Sequence, residues 1–455
     1  LLLPPVLASV PFILQVGASS AASAPSVAIK NLSDIAVSSF GFWTVGYALA
    51  YGVNGEGTSN PFVGEGQFLL LGAPDLGLFL FRYAFAATAS TIVSGSIVGR
   101  ILFKHYIILA LLMSTVIYPI AAHAAWSPQG FMNSLGFLDY AGSCVVHVTG
   151  GMVGLCASVW LGPRRNVFRP DGEYAPTRAS PTQAVLGAVC LWYGWFSFNA
   201  GSSQRVSQGG MTMASRSAAA TLIASGAGFL VALAWSWIRT KGKQIHVFDS
   251  ATGLLAGLVS ISACCASVRP WEACLIGAIG STAAMATSKL IVHLRIDDPV
   301  AVIPVHLAGG ATGTLLAGLF ANDPAVMLAE TGAKAPQRTA GLFHGGGAQL
   351  LGVQALGLLF VMVWAGVGFL MVAAVISACF GGLRTPAADS GEDVHSDEAE
   401  ARRRRSMSAK SFRVMPRSGS DVSQAINGPS ATATVSGRET RRSLVRRQSV
   451  SGGVS

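Results

Sequence analysis

Apolar runs of about 20 residues, the length a helix needs to cross a bilayer, recur along this chain with short polar stretches between them. They lie near residues 34–53, 77–98, 102–123, 141–162, 182–201, 217–238, 248–267, 271–293, 301–321 and 350–379, and a further partial run occupies 1–17. The chain opens on Leu1-Leu2-Leu3 without a methionine, which suggests a processed or incomplete start. Read as a truncated helix rather than a signal remnant, the first run brings the expected number of spans to eleven. The fold class expected is an all-α polytopic membrane protein. Composition agrees, since 51% hydrophobic and 11% charged residues in 455 leave more apolar surface than one water-soluble core can bury.

Basic residues gather in alternate loops. Arg100 and Lys104 flank one turn; Arg164, Arg165, Arg169 and Arg178 fall in the next but one, followed by Arg239, Lys241 and Lys243, and then Arg295. The intervening stretches 54–74 and 124–140 contain no Lys or Arg and carry Glu56, Glu65 and Asp139. Cytoplasmic loops retain basic residues, so the amino end is expected outside and the carboxyl end inside, as an odd number of spans requires.

The transmembrane domain is expected over 1–383. From 384 to 455 the composition shifts to Ser, Arg and Gly, the mark of a disordered cytoplasmic tail. Arg402 to Arg405 and Arg441-Arg442 hold much of the net charge of +10 there, which fits attraction to an anionic leaflet better than nucleic-acid binding. Ser443 and Ser449 follow paired arginines, a pattern that basic-directed kinases accept. The seven cysteines sit mostly inside apolar runs without C-x-x-C spacing and read as small core residues, with no metal or disulfide framework.

One pattern occurs twice. Asp139 precedes His147 in Asp139-Tyr-Ala-Gly-Ser-Cys-Val-Val-His147, and Asp298 precedes His306 at the same interval; H-x-x-G-G-x-x-G follows each histidine. The two copies fall in the fifth and tenth spans, so five crossings separate them and their helices run in opposite directions, as in an inverted-topology repeat. Each histidine lies about 12 Å along its helix from its aspartate, at about 1.5 Å per residue, which brings both imidazoles near the midplane. Ionisable groups at that depth face a bundle interior, and the glycines let helices approach closely around a narrow lumen. Two satisfied core histidines are the alternative. The aspartates suit helix capping, and Asp139 could also make an outer entrance attractive to a cation.

Phe137-Leu-Asp139 through His147 resembles a signature of the ammonium transporter (Amt/Mep/Rh) superfamily, and Trp192-Tyr-Gly-Trp195-Phe-Ser-Phe198-Asn199-Ala-Gly-Ser202 resembles a second. The likeness continues through Asp297-Asp298-Pro299 to His306 and Gly341 to Gly352, reaches weakly back to Lys30–Asp34, covers roughly residues 15 to 384, and is closer to the Amt branch. The resemblance implies eleven spans with a five-plus-five repeat, a homotrimer with a pore in each subunit, transport rather than enzyme activity, and no cofactor. It implies ammonium, or methylammonium as an analogue, recruited by Trp126, Phe85 and Ser202 outside a gate of Phe85 and Phe198, above the twin histidines His147 and His306. It also implies a membrane location, expected to be the plasma membrane.

That chemistry is physically reasonable. Ammonium is a cation with four N–H donors, so aromatic faces and a hydroxyl acceptor favour it over alkali ions. Carrying the charge through an apolar lumen is costly, and neutral imidazoles can take up a released proton. The chain departs from the family at Arg82 and Gly99, where glutamine and glutamate are usual, and at Leu307 and Thr312, where glycine and tryptophan are common. Gly391–Ala399 only loosely matches the cytoplasmic element that couples subunits. Rival readings are an ammonium sensor signalling through its tail, an Rh-type gas channel, and an intramembrane enzyme with a metal on the two histidines. The last lacks a third ligand at midplane depth.

Overall fold

The computed structural model describes residues 11–19, 24–72, 75–170, 173–176, 180–207, 209–322 and 340–385. The expected tail from residue 386 on, with Ser443, Ser449 and the loose coupling element, and the first ten residues of the opening run lie outside the described residues.

Among the described residues the chain forms eleven helical rods. They are α1 (Pro11–Ala18), α2 (Ala24–Gly41, continued by a π-helical turn at Phe42–Gly46 and by Tyr47–Tyr51), α3 (Leu76–Ser96) and α4 (Phe103–Leu112, a π-helical turn at Met113–Ile117, then Tyr118–Trp126). α5 starts in a π-helical turn, Ser143–Val148, and continues as Thr149–Leu161; then come α6 (Pro181–Gly201), α7 (Gly210–Arg239), α8 (Val247–Ile261) and α9 (Pro270–His293). α10 repeats the form of α5, with a π-helical turn at Ile303–Ala308 before Gly309–Phe320, and α11 is Gln349–Phe380. Seven rods are long and apolar enough, by length and composition, to cross a membrane.

Three expected boundaries move, the run expected at 217–238 lying in a helix that already begins at Gly210. The run expected at 34–53 belongs to a helix that begins at Ala24, whose first polar residues each find a partner inside the bundle. Lys30 Nζ donates to the Ile101 carbonyl, Asn31 donates to Gln15, and Ser90 donates to Asp34 at 2.6 Å. The run expected at 248–267 is helical only to Ile261. The rest forms buried turns whose Ser262 and Ala263 carbonyls accept from the Ala141 and Tyr140 amides, so this apolar stretch props the start of α5.

The bundle is built around α5 and α10. In α5, 72% of the most apolar 18-residue stretch is buried, against 39% in α7 and α9, so α5 is a central rod and those two present a broad face outward. Glycines set the crossing. A Cβ on Gly151 of α5 would lie 2.5 Å from the Leu307 nitrogen, one on Gly310 of α10 would lie 2.4 Å from the Ser143 carbonyl oxygen, and one on Gly154 would lie 3.0 Å from Val302 Cγ1. As numbering rises along α5 it falls along α10, which makes the two helices antiparallel, as the repeat requires.

Candidate functional site: an aromatic file above a histidine pair

The two copies of the repeat start their helices by the same device. Asp139 Oδ1 accepts from the Gly142 amide and Oδ2 from the amides of Cys144 and Val145, at 3.1, 2.9 and 2.8 Å. Asp298 accepts from Val302 and Ile303 at 3.0 and 2.7 Å. Three residues after each aspartate the backbone is left-handed, at Gly142 (φ 97°) and at Ala301 (φ 60°). Helix N-termini hold unpaired N–H groups that a carboxylate satisfies. Both aspartates are buried, which raises their pKa values to about 7 and about 6, against the pull of those N–H bonds toward the anion.

Asp297, the neighbour of Asp298, anchors a different structure. Its carboxylate takes a bidentate contact from Arg164 at 2.7 and 2.9 Å and a hydrogen bond from the Tyr174 hydroxyl at 2.9 Å, with buried Arg100 at 3.9 Å. Burial alone would raise its pKa, but the Arg164 hydrogen bond and the two guanidinium charges bring it down to about 2. The loop after α5 is thereby tied to the start of α10. Arg384 bonds the Leu161 and Pro163 carbonyls, so the chain stays attached to this face just past the expected domain boundary.

The wider π-helical turns carry His147 and His306 toward each other. Their Nδ1 atoms are 3.2 Å apart and their rings are stacked at 5.1 Å. Two ring nitrogens at that distance share one proton, so one imidazole offers N–H at Nδ1 and the other a lone pair. His147 has no exposed surface, and its Nε2 has no hydrogen-bond partner. His306 keeps part of its surface exposed.

Aromatic rings continue this pair toward the Asp139 side. Phe198 lies 5.9 Å from the His147 ring and stacks on Phe85 at 4.2 Å, and Trp126 meets Phe85 edge-on at 5.6 Å. Trp126 is held by its Nε1–H, which donates to the Asp139 carbonyl at 2.7 Å. Phe85 and Phe198 are almost wholly buried and close the file above His147. Outside them opens a cleft of about 190 Å³ lined by Phe85, Trp126 and Ser202 together with Tyr51, Arg82 and Tyr140. The Ser202 hydroxyl donates to the Phe198 carbonyl at 2.9 Å, which leaves its oxygen free to accept. On the side from which α10 starts, a cavity of about 570 Å³ is lined by Asp298, Ala301 and Pro304 with Leu255, Met285 and Trp235.

Of the eight residues singled out in the sequence, six lie in the file or its cleft (Trp126, Phe85, Ser202, Phe198, His147, His306), and Asp139 and Asp298 lie at the two helix starts. Trp195 had no role assigned, yet it stacks on His147 at 5.1 Å and its Nε1–H donates to Ser262 at 3.0 Å. Its signal was its spacing, three residues before Phe198 on one helix face. Tyr51 and Tyr140 come from distant segments that no local pattern connects. Among the described residues no group of three or more His, Cys, Asp or Glu could hold a metal ion, and all seven cysteines are unpaired.

Helical rods enclosing a sealed aromatic file above paired imidazoles define a membrane transporter or channel. The profile of the Ammonium Transporter Family matches residues 7–402, and the chain belongs to that family. Ammonium transporter 3 of Dictyostelium discoideum is 33% identical over 363 residues, covering 78% of this chain and 80% of that protein. Ammonium transporter Amt2 of Archaeoglobus fulgidus is 38% identical over 325 residues, 68% of this chain and 67% of that one. A Caenorhabditis elegans relative, 34% identical over 401 residues, matches 85% of this chain but only 56% of its own length. Among solved structures, Mep2 of Saccharomyces cerevisiae superposes with a TM-score of 0.74 at 29% identity, over 84% of this chain and 85% of that one. A protein described as a sensor Amt protein gives 0.73 at 32% identity, over 84% and 92%.

Proposed function

We propose that this chain carries ammonium across a membrane by binding the cation in the cleft of Trp126, Phe85 and Ser202, giving up the cation's proton to the histidine pair, and passing ammonia between Phe85 and Phe198 along the same file. The observation that supports this most directly is the unbroken file from Trp126 through Phe85 and Phe198 to His147 and His306, with ring separations of 4.2 to 5.9 Å. A bare cation in that apolar file would lose its hydration without a counter-charge, at a cost of several kcal/mol or more. The neutral molecule avoids this. In the histidine pair, the imidazole that donates through Nδ1 keeps an Nε2 lone pair that can accept the released proton, and the shared Nδ1 bond lets protonation pass between the rings.

Trp126→Leu combined with Ser202→Ala is expected to weaken recruitment by roughly 1 to 3 kcal/mol, the scale of one cation–π contact and one hydrogen bond to a charged group. Half-saturation of methylammonium uptake, with simultaneous current recording in cells lacking their own transporters, measures this. An unchanged half-saturation concentration would mean that the charged form is not bound in this cleft.

The Asp139 side faces outward in this reading, the carboxyl end lies in the cytoplasm of a plasma-membrane protein, and three copies assemble with one pore each. Ser443 and Ser449 are proposed kinase targets, since a phosphate brings roughly −1.5 to −2 charges and would cancel part of an arginine cluster. Comparing Ser443→Ala with Ser449→Ala against the two Asp substitutions is expected to change uptake; identical uptake at equal surface level removes any gating role.

A further inference from the structure

We propose that Arg82 sets the affinity of the outer cleft for cations, as a fixed positive charge that limits how tightly the site can hold one. Arg82 lies on α3 three residues before Phe85 and lines the same cleft as Phe85, Trp126 and Ser202. Its guanidinium carbon sits 3.7 Å from the centre of the Tyr51 ring and 5.8 Å from that of Tyr47, and Nη1 donates to the Tyr47 hydroxyl at 3.2 Å. The guanidinium is thus held in place by two rings and a hydroxyl, none of which carries a neutralising charge.

The remaining lining groups are aromatic, amide and hydroxyl side chains, with no carboxylate among them. None of the ion pairs found among the described residues includes Arg82. Asp139 spends its carboxylate on three backbone N–H groups at the start of α5, and Asp75, which caps α3, accepts from the Leu78 amide. Glu56 and Glu65 lie on the loop between α2 and α3 and do not line the cleft.

An arginine stays protonated across the physiological range, so its repulsion does not switch with pH. It acts twice against a bound cation. It repels the charge directly within a space of about 190 Å³, and it already occupies the Tyr51 face that would otherwise attract a cation. A neutral molecule meets neither penalty. Arg82 therefore tilts the site away from tight binding of ammonium and of alkali cations alike, and leaves the hydroxyl acceptor and Trp126 to distinguish between them.

This inference rests on recruitment at the cleft, and the test separates the two. Arg82→Lys, Arg82→Gln and Arg82→Glu are compared in the whole transporter at equal surface level, reading half-saturation for methylammonium. Arg82→Lys should stay near the parent value, Arg82→Gln should fall by about tenfold and Arg82→Glu further, following charge. Raising ionic strength should lower half-saturation in the parent by screening the repulsion, and should do so much less in Arg82→Gln. If Arg82→Gln and Arg82→Glu both raise half-saturation or both abolish uptake, Arg82 serves only to pack Tyr47 and Tyr51 and the proposal is overturned. If the charge series changes nothing while Trp126→Leu with Ser202→Ala weakens uptake, only the role of Arg82 fails. If neither set changes half-saturation, recruitment at this cleft fails with it.

Discussion

Replacing either His147 or His306 with alanine is expected to reduce selective methylammonium uptake by roughly 100-fold or more, the lower range for losing a positioned proton acceptor. The two rings share one Nδ1–Nδ1 hydrogen bond at 3.2 Å, so removing one leaves the other with neither its partner nor its tautomer fixed. The double alanine variant should accordingly cost little more than either single one, because groups that act as a unit are far from additive. Loss of the acceptor also leaves the lumen open at the position of the lost ring. A second expected result is therefore a current carried by alkali cations in His147→Ala that the parent does not pass. The check is uptake and current in the same cells at equal surface expression. Uptake and selectivity unchanged in both single variants would exclude a proton relay through the pair.

The histidine pair was readable in the sequence from spacing, whereas Trp126, Phe85, Phe198 and Ser202 were reached only through the family resemblance. The repeated interval from Asp139 to His147 and from Asp298 to His306 placed the imidazoles at matching depth on antiparallel helices. In the structure the same interval ends in rings 5.1 Å apart. What the interval could not convey is the π-helical form of the two turns. A π turn is a register of backbone hydrogen bonds, here with the His147 amide bonding to the Gly142 carbonyl. It depends on the cap at Asp139 and the left-handed Gly142 more than on side-chain periodicity.

The boundary of α2 was hidden for a related reason. Lys30, Asn31 and Asp34 look like the end of a span when polarity alone is counted, but each finds a partner inside the bundle in Gln15, Ser90 or the Ile101 carbonyl. Arg82 stood out in the sequence as a departure, yet its effect depends on Tyr47 and Tyr51, which reach it from another helix. Long-range partners of this kind carry no local signal, whereas a repeated motif does.

The second large effect should come from residues that touch no substrate. Gly151→Ala and Gly310→Ala are each expected to abolish most uptake, because the added carbon meets backbone rather than a side chain that could turn aside. At Gly151 it would lie 2.5 Å from the Leu307 nitrogen and 2.9 Å from Leu307 Cα, next in sequence to His306. At Gly310 it would lie 2.4 Å from the Ser143 carbonyl oxygen, in the turn that carries His147. Separation of α5 and α10 is the only relief, and it stretches the 3.2 Å contact between the imidazoles. Overpacking at such a crossing costs typically 1 to 3 kcal/mol, so about that much stability should be lost at each site. Gly352→Ala in α11 is the control, since nothing lies within 4 Å of the added carbon there and alanine is the better helix former. Uptake and thermal unfolding of the purified proteins should separate the three, with Gly352→Ala matching the parent in both. Parent-like uptake in Gly151→Ala and Gly310→Ala would mean that the histidines do not need this crossing distance, and that the close approach of the two helices serves packing alone.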